Sequence, residues 1–355
     1  MQDLIAWQQR LRLLLAPPAA LAGLAMRARA ALYARKLLSS WTPPAPAVGV
    51  GGINATARGK VLVSAWLMGW AAAKGVSAAL LACPRDASPD DMPLSVTADT
   101  PPFQCGTDAA LLARYRPDAV ILSDDKPARA GKSAWSALSP GMFILHDFFS
   151  DPSVKRGADL VLLNAHDLDR GWNRPFPAGF WREGVGALSR ASAFILHIPP
   201  DEIALRAPLA ERRLGRFSKP VFTVHPRIWR LRQADGQAAT DLGGEPYLLV
   251  TADSNQEMAA KAAQAFLKLP PRLRVVFSDS HRFTQQDQAQ IAADAARMRA
   301  PHVLATPEAA LRLGDVPGRT LWTYDPDVVF GPCLLTGQAF TPWWENAWAA
   351  IQSHA

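Results

Sequence analysis

Short apolar runs alternate with stretches of helical periodicity from about residue 47 onward. The runs at 47–50, 76–82, 119–122, 142–145, 159–163 and 193–196 are brief and bounded by turn-forming residues, which predicts strands. The spacing of apolar positions predicts helices over 61–73 and 107–115. Strands alternating with helices imply a mainly parallel sheet covered on both faces, an α/β fold. A polar, glycine-containing stretch, RQADGQAATDLGGE at 232–245, reads as a linker or exposed loop. A second, smaller alternation follows: strands at 247–251, 273–277 and 320–324, with helices over 257–267 and 285–298. The expected organisation is a helical arm over 1–40, a first α/β domain over 41–231, and a linker with a second α/β domain over 232–355. A chain of 355 residues is long enough for two cores.

The arm reads differently. LIAWQQRLRLLLAPPAALAGLAMRARAALYARKLL mixes Leu, Ala and Trp7 with spaced arginines. Its longest uncharged run, 13–26, contains Pro17-Pro18 and falls short of the roughly 20 apolar residues that cross a bilayer. It predicts two amphipathic helices broken at the prolines and lying on an anionic membrane surface. A helical hairpin packed on the next domain is the alternative. A secretory signal is a third reading, disfavoured by the diproline and the basic continuation. Charge supports a surface role. Residues 1–60 hold eight basic side chains against the single acid Asp3, which equals the net +7 of the whole chain. No basic-and-aromatic groove pattern or DNA-reading motif follows, so nucleic acid is not an expected partner. Cys83, Cys105 and Cys333 are widely separated and show no metal-ligand spacing, as expected in a reducing compartment.

Candidate chemistry begins at VGVGGINATARGKV, 48–61, placed between the first strand and its helix. A phosphate loop there would use backbone N–H groups to cradle phosphates, a Lys to reach the outer ones, and a hydroxyl for Mg²⁺. Gly51, Gly52, Thr56, Gly59 and Lys60 are the candidate nucleotide-binding residues; Val61 stands where the hydroxyl would be. A structural turn would also use these glycines, and Lys60 would then be an exposed loop lysine.

Further on, GWNRPFPAGFWREGVGALSRASAFIL (171–196) resembles the GN…LPAGPLREP…L.RAD signature of the tetraacyldisaccharide 4'-kinases. LYARKLLSSW, FSDSHRF and ATPEAALRL resemble that family's LYRRGLLRSW, FPDHHxY and TTEKDAVKL, in the same order along the chain. The resemblance implies a membrane-associated phosphate-loop enzyme at the cytoplasmic face of the bacterial inner membrane. It implies ATP with Mg²⁺ as cofactors, the lipid A disaccharide precursor as substrate, and phosphorylation of its 4'-hydroxyl.

Carried over residue by residue, Lys60 matches the phosphate-loop Lys, Arg182 and Glu183 match the RE pair, and His281 matches the last His of DHH. FILHDFFSDPSVKRGADLVLL aligns without a gap on the family's FILDDGFQH segment. Asp147 therefore keeps the second Asp and becomes the implied metal ligand, while His146 replaces the first. In CGTDA, Thr107 stands for the catalytic Asp of GDEP and Asp108 for its Glu, so Asp108 is the candidate base after a shift of one residue. Ser280 and Glu308-Ala309 are further replacements. His146 is a poor Mg²⁺ ligand and Val61 offers no oxygen. These losses imply weak catalysis, or a non-catalytic homologue that binds lipid or nucleotide or regulates another enzyme. Arg182 and Glu183 are also readable as an ion pair holding their loop. Asp124-Asp125 read as solvated loop acids, and TPWWENAW (341–348) as core or an interfacial patch.

Overall fold

The computed structural model describes residues 11–54, 56–85, 87, 91–279 and 281–353; the part of the predicted arm before residue 11, and Ser280, lie outside them. The described residues divide into two compact units, 225–329 and the remainder, and the boundary falls within two strands.

The larger unit opens with helix α1 (Arg12–Ala34). It then runs through β1 (Ala47–Gly52), α2 (Lys60–Ala73), β2 (Ala78–Ala82), β3 (Leu94–Ser95), α3 (Pro102–Cys105), α4 (Thr107–Tyr115), β4 (Val120–Ser123), α5 (Pro127–Leu138) and β5 (Met142–His146). Next come β6 (Ala158–Asn164), α6 (Ala165–Leu168), β7 (Ala193–His197), α7 (Ile203–Leu214) and the first residues of β8 (Val221–Arg232). Its strands lie in the order β3-β4-β2-β5-β1-β6-β7-β8, parallel except for β3 against β4. β1 sits between β5 and β6, with Gly49 opposite both Leu145 and Asp159. All six residues of β1 and all five of β5 are buried, as expected of central parallel strands covered on both faces.

The smaller unit continues with β9 (Ala238–Ala239), β10 (Tyr247–Ala252), α8 (Gln256–Leu267), β11 (Leu273–Phe277), α9 (Gln285–Arg297), β12 (His302–Ala305), α10 (Pro307–Leu313) and most of β13 (Thr320–Gly331). Its parallel strands lie in the order β11-β10-β12-β13. One core gathers Tyr247, Leu249, Leu304 and Trp322; the other gathers Val250, Ile291, Val303 and Leu313. Arg230 and Arg232 converge on Asp325 at 2.5 and 2.6 Å.

Three expectations change. α1 is one continuous helix through Pro17 and Pro18 rather than two broken at them. Two adjacent prolines remove two backbone donors, and packing of the rest of the helix carries the loss. Ala19 and Gly23 are buried, Gly23 lies against Pro175, and Arg29 donates to the Ser150 carbonyl and to Asp151 at 3.1 Å each. The opposite side leaves Leu14, Leu21 and Leu24 exposed. Among the described residues, no helix is long and apolar enough to cross a membrane.

Residues 330–353 join the larger unit rather than the second domain. The last helix, α11 (Phe340–Gln352), buries Phe340, Trp344 and Trp348, and Trp70 of α2 meets Trp344 and Trp348 edge-on at 5.5 Å. The tryptophan-rich end is therefore core, since edge-to-face rings in a dry cluster add to their buried area. Asp124 is also buried rather than solvated: Arg129 grips both its oxygens at 2.7 Å and the Lys126 N–H donates at 2.8 Å.

Candidate active site

The loop after β1 folds tightly before α2 begins at Lys60. A Cβ on Gly52 would come 2.5 Å from Ala57 Cβ, so only glycine lets the loop turn back here. Gly59 caps α2 with φ +86°, in the left-handed region that glycine enters without strain. Thr56 donates its backbone N–H and its hydroxyl to Asn54 Oδ1 at 2.7 and 2.9 Å. Lys60 is the first residue of α2 and is buried, not an exposed loop lysine.

Lys60 Nζ reaches Asp147 Oδ2 at 2.9 Å. Asp147 follows β5 with φ +66°, a conformation tolerated by Asp more than by most side chains. Its backbone N–H is held by the Val50 carbonyl at 2.8 Å. Two guanidinium groups share the carboxylate with Lys60. Arg182 Nη1 and Nη2 donate to its two oxygens at 3.1 and 3.2 Å, and Arg85 pairs with Oδ2 while donating to the Asp147 carbonyl at 3.0 Å. Burial alone would raise the Asp147 carboxyl, but Lys60, Arg182 and Arg85 together hold it well below the usual carboxylate range.

Beside this cage runs a second chain of contacts. Ser64, one turn along α2, lies 2.9 Å from His146 Nδ1, and His146 Nε2 lies 2.9 Å from Asp108 Oδ2. Ser64 and His146 are fully buried, while Asp108 is partly exposed on the first turn of α4. Burial pushes Asp108 up, but the hydrogen bond with His146 and the Lys60 charge outweigh it and leave the group well below its ordinary value. Asp108 thus faces the cage.

A third network fixes the loop to the segment carrying Arg182. The buried Asp167 accepts from Asn54 Nδ2 at 2.6 Å, Trp181 Nε1 at 2.8 Å and the Asn164 N–H at 2.9 Å. The Arg182 N–H donates to the Ile53 carbonyl at 2.7 Å, and its guanidinium reaches the Gly52 carbonyl at 3.3 Å. Here burial wins: the Asp167 carboxyl is raised despite its neutral donors. Arg182 and Glu183 are not an ion pair with each other. Glu183 pairs with Arg190 at 2.6 Å, because the two side chains point to opposite sides of the segment.

The profile of the family described as Tetraacyldisaccharide-1-P 4'-kinase matches residues 11–335. The chain belongs to that family. It is 31% identical to the tetraacyldisaccharide 4'-kinase of Nitratidesulfovibrio vulgaris, over 98% of this chain and 97% of that one. It is 33% identical to that of Oleidesulfovibrio alaskensis, over 97% of each. In fold it is similar to the crystal structure of LpxK from Aquifex aeolicus in complex with ATP, with a TM-score of 0.70 at 18% identity, covering 98% of this chain and 99% of that one.

Of the residues the family resemblance singled out, Lys60, Asp108, Asp147 and Arg182 come together in the larger unit, beside Gly51, Gly52, Thr56 and Gly59. Glu183 sits one residue from the cage and turns away from it. His281 belongs to the smaller unit, where its Nε2 lies 3.1 Å from Asp287 and its ring stacks on Phe277. Sequence reasoning missed Arg85, Ser64, Asn54 and Asp167. Arg85 closely follows β2, the neighbour of β5, so a search for basic residues just past predicted strand ends would have found it.

The side chains do not fit Mg²⁺ as they stand. Val61 has no oxygen, both oxygens of Asp147 are taken by cations, and both ring nitrogens of His146 are taken. Among the described residues, no cluster of three or more His, Cys, Asp or Glu side chains could hold a metal ion.

Proposed function

We propose that this protein uses ATP to phosphorylate the 4'-hydroxyl of a tetraacyldisaccharide 1-phosphate, the lipid A disaccharide precursor, and does so slowly. The observation that carries this reading is the convergence of Lys60, Arg182, Asp147 and Asp108 beside the glycine loop, at the carboxyl ends of β1 and β5, where open α/β sheets gather ligands. Phosphoryl transfer asks mainly for positioning and for cations against the phosphoryl oxygens. Lys60 and Arg182 supply those cations, and the backbone of Gly51, Gly52, Thr56 and Gly59 shapes the loop that would hold the phosphates. Asp108 accepts the proton of the attacking hydroxyl, held in place by His146. Its depressed pKa keeps it ionised at neutral pH and makes it a weak base, which slows the step.

The test is 4'-phosphorylation of the disaccharide 1-phosphate by the natural chain and by a Val61→Thr/His146→Asp double variant. Little product from the natural chain is expected, with a gain of at least about tenfold in the double variant and less in either single one. Brisk turnover by the natural chain, abolished by Lys60→Ala, would refute the slow-site reading. Absence of product from every variant, with lipid or nucleotide still bound, would establish the non-catalytic alternative, which the missing metal-side oxygens favour.

The exposed Leu14, Leu21 and Leu24, with exposed Arg27, Arg35 and Lys36 on or just beyond the same helix, support peripheral attachment to an anionic membrane at its cytoplasmic face. Sedimentation with anionic vesicles should weaken in high salt and in a Leu21→Glu/Leu24→Glu variant. Equal sedimentation of variant and natural chain would remove α1 as the anchor.

A further inference from the structure

We infer that Arg85 completes a three-cation socket with Lys60 and Arg182, which takes the outer phosphates of the nucleotide without a divalent metal. The inference rests on the nucleotide reading above and adds to it a residue, Arg85, and a metal requirement.

Charge is the first observation. Three cationic side chains meet one carboxylate, that of Asp147. Asp108 contributes a second negative charge from its place beside His146, so the cluster keeps an excess of at least one positive charge. Like charges brought together away from water repel strongly unless an anion joins them. A terminal phosphate carries close to two negative charges and several acceptor oxygens, which suits that excess. A divalent metal ion would add to that excess instead, and in the present arrangement both oxygens of Asp147 are paired with cations.

Accessibility is the second. Lys60 and Arg182 are 8% and 14% exposed at their side chains, whereas Arg85 is 42% exposed. Arg85 therefore stands at the mouth, with its guanidinium already aimed inward by the Asp147 carbonyl. A planar guanidinium at that place can pair with two phosphate oxygens at once, which a Lys ammonium does less well.

The test is calorimetric titration of the full chain with ATP and with inorganic triphosphate, each in Mg²⁺ and in excess chelator. Natural-chain affinity for both probes should differ by less than about threefold between the two conditions. Arg85→Ala should weaken both by about tenfold or more, the usual cost of losing a charge-assisted pair, and Arg85→Lys should recover part of it. Thermal melting of each variant checks that it is folded; Arg85 is exposed enough for all of them to be. Tenfold or tighter binding in Mg²⁺, or unchanged affinity in Arg85→Ala, would overturn the socket. Arg85-dependent binding of triphosphate but not of ATP would keep the socket and remove the nucleotide reading. Lipid phosphorylation that ignores Arg85→Ala would do the reverse.

Discussion

Two buried carboxylates flank the glycine loop and behave in opposite ways. Asp147 follows β5 on one side of β1; Asp167 follows β6 on the other. Asp147 is held by three cations and its carboxyl is depressed, while Asp167 is held by an amide, an indole and a backbone N–H and its carboxyl is raised. The difference separates a site from a scaffold. Charge balanced by charge can be rebalanced when an anionic ligand arrives, whereas neutral donors aimed at one carboxylate have no other use and hold geometry. Under the proposed function Asp147 would mark where phosphate is exchanged, while Asp167 joins the loop, through Asn54, to Trp181 beside Arg182.

The largest expected effect falls on the scaffold. Asp167→Ala leaves the Asn54 amide, the Trp181 indole and the Asn164 N–H without their acceptor, at a cost of about 4 kcal/mol in urea unfolding. Added inorganic triphosphate should raise its stability no more than it raises that of the natural chain. A loss under about 1 kcal/mol would show that water replaces the carboxylate and would break the comparison.

Asp147→Asn should cost less, about 2 kcal/mol, because the amide oxygen still accepts from one cation and Arg85 can turn to solvent. Here triphosphate should restore stability, since an anion replaces the lost charge. Acid sharpens the same contrast. The folded Asp147 pKa lies below its ordinary value of 3.8, so its stabilisation is present above that pH and is lost as pH falls towards the folded value. The natural chain should lose up to about 1 kcal/mol per pH unit there from this group, and Asp147→Asn should flatten that slope. An identical acid slope in the variant would mean that other carboxylates govern the transition. Asp167, raised in the folded state, favours folding at the acid end and works against it above its unfolded value.

Much of the fold was legible because its strands are short apolar runs broken by turn residues. The runs at 142–145 and 193–196 fall within β5 and β7, and the run at 159–163 within β6. The last helix was harder to place: its Trp344 and Trp348 are spaced for a buried face, but nothing local tells that their partner is Trp70, far back in the chain. α1 failed the proline rule for the same reason, since the contacts that carry it across Pro17 and Pro18 come from Pro175 and Asp151.

The amino-acid sequence by itself determined the α/β alternation, the glycine loop ending in Lys60, the family, and the replacements at Val61 and His146. Those are properties of residue type, order and spacing, and survive without coordinates. Only the tertiary structure decided that Asp108 meets His146, that Arg182 turns to Asp147 while Glu183 turns to Arg190, and that Arg85 enters the cage. Each of these depends on which strand ends lie side by side. β2, β5 and β1 are neighbours in the sheet although they are distant in the chain, so the charges they carry meet only after the sheet has formed.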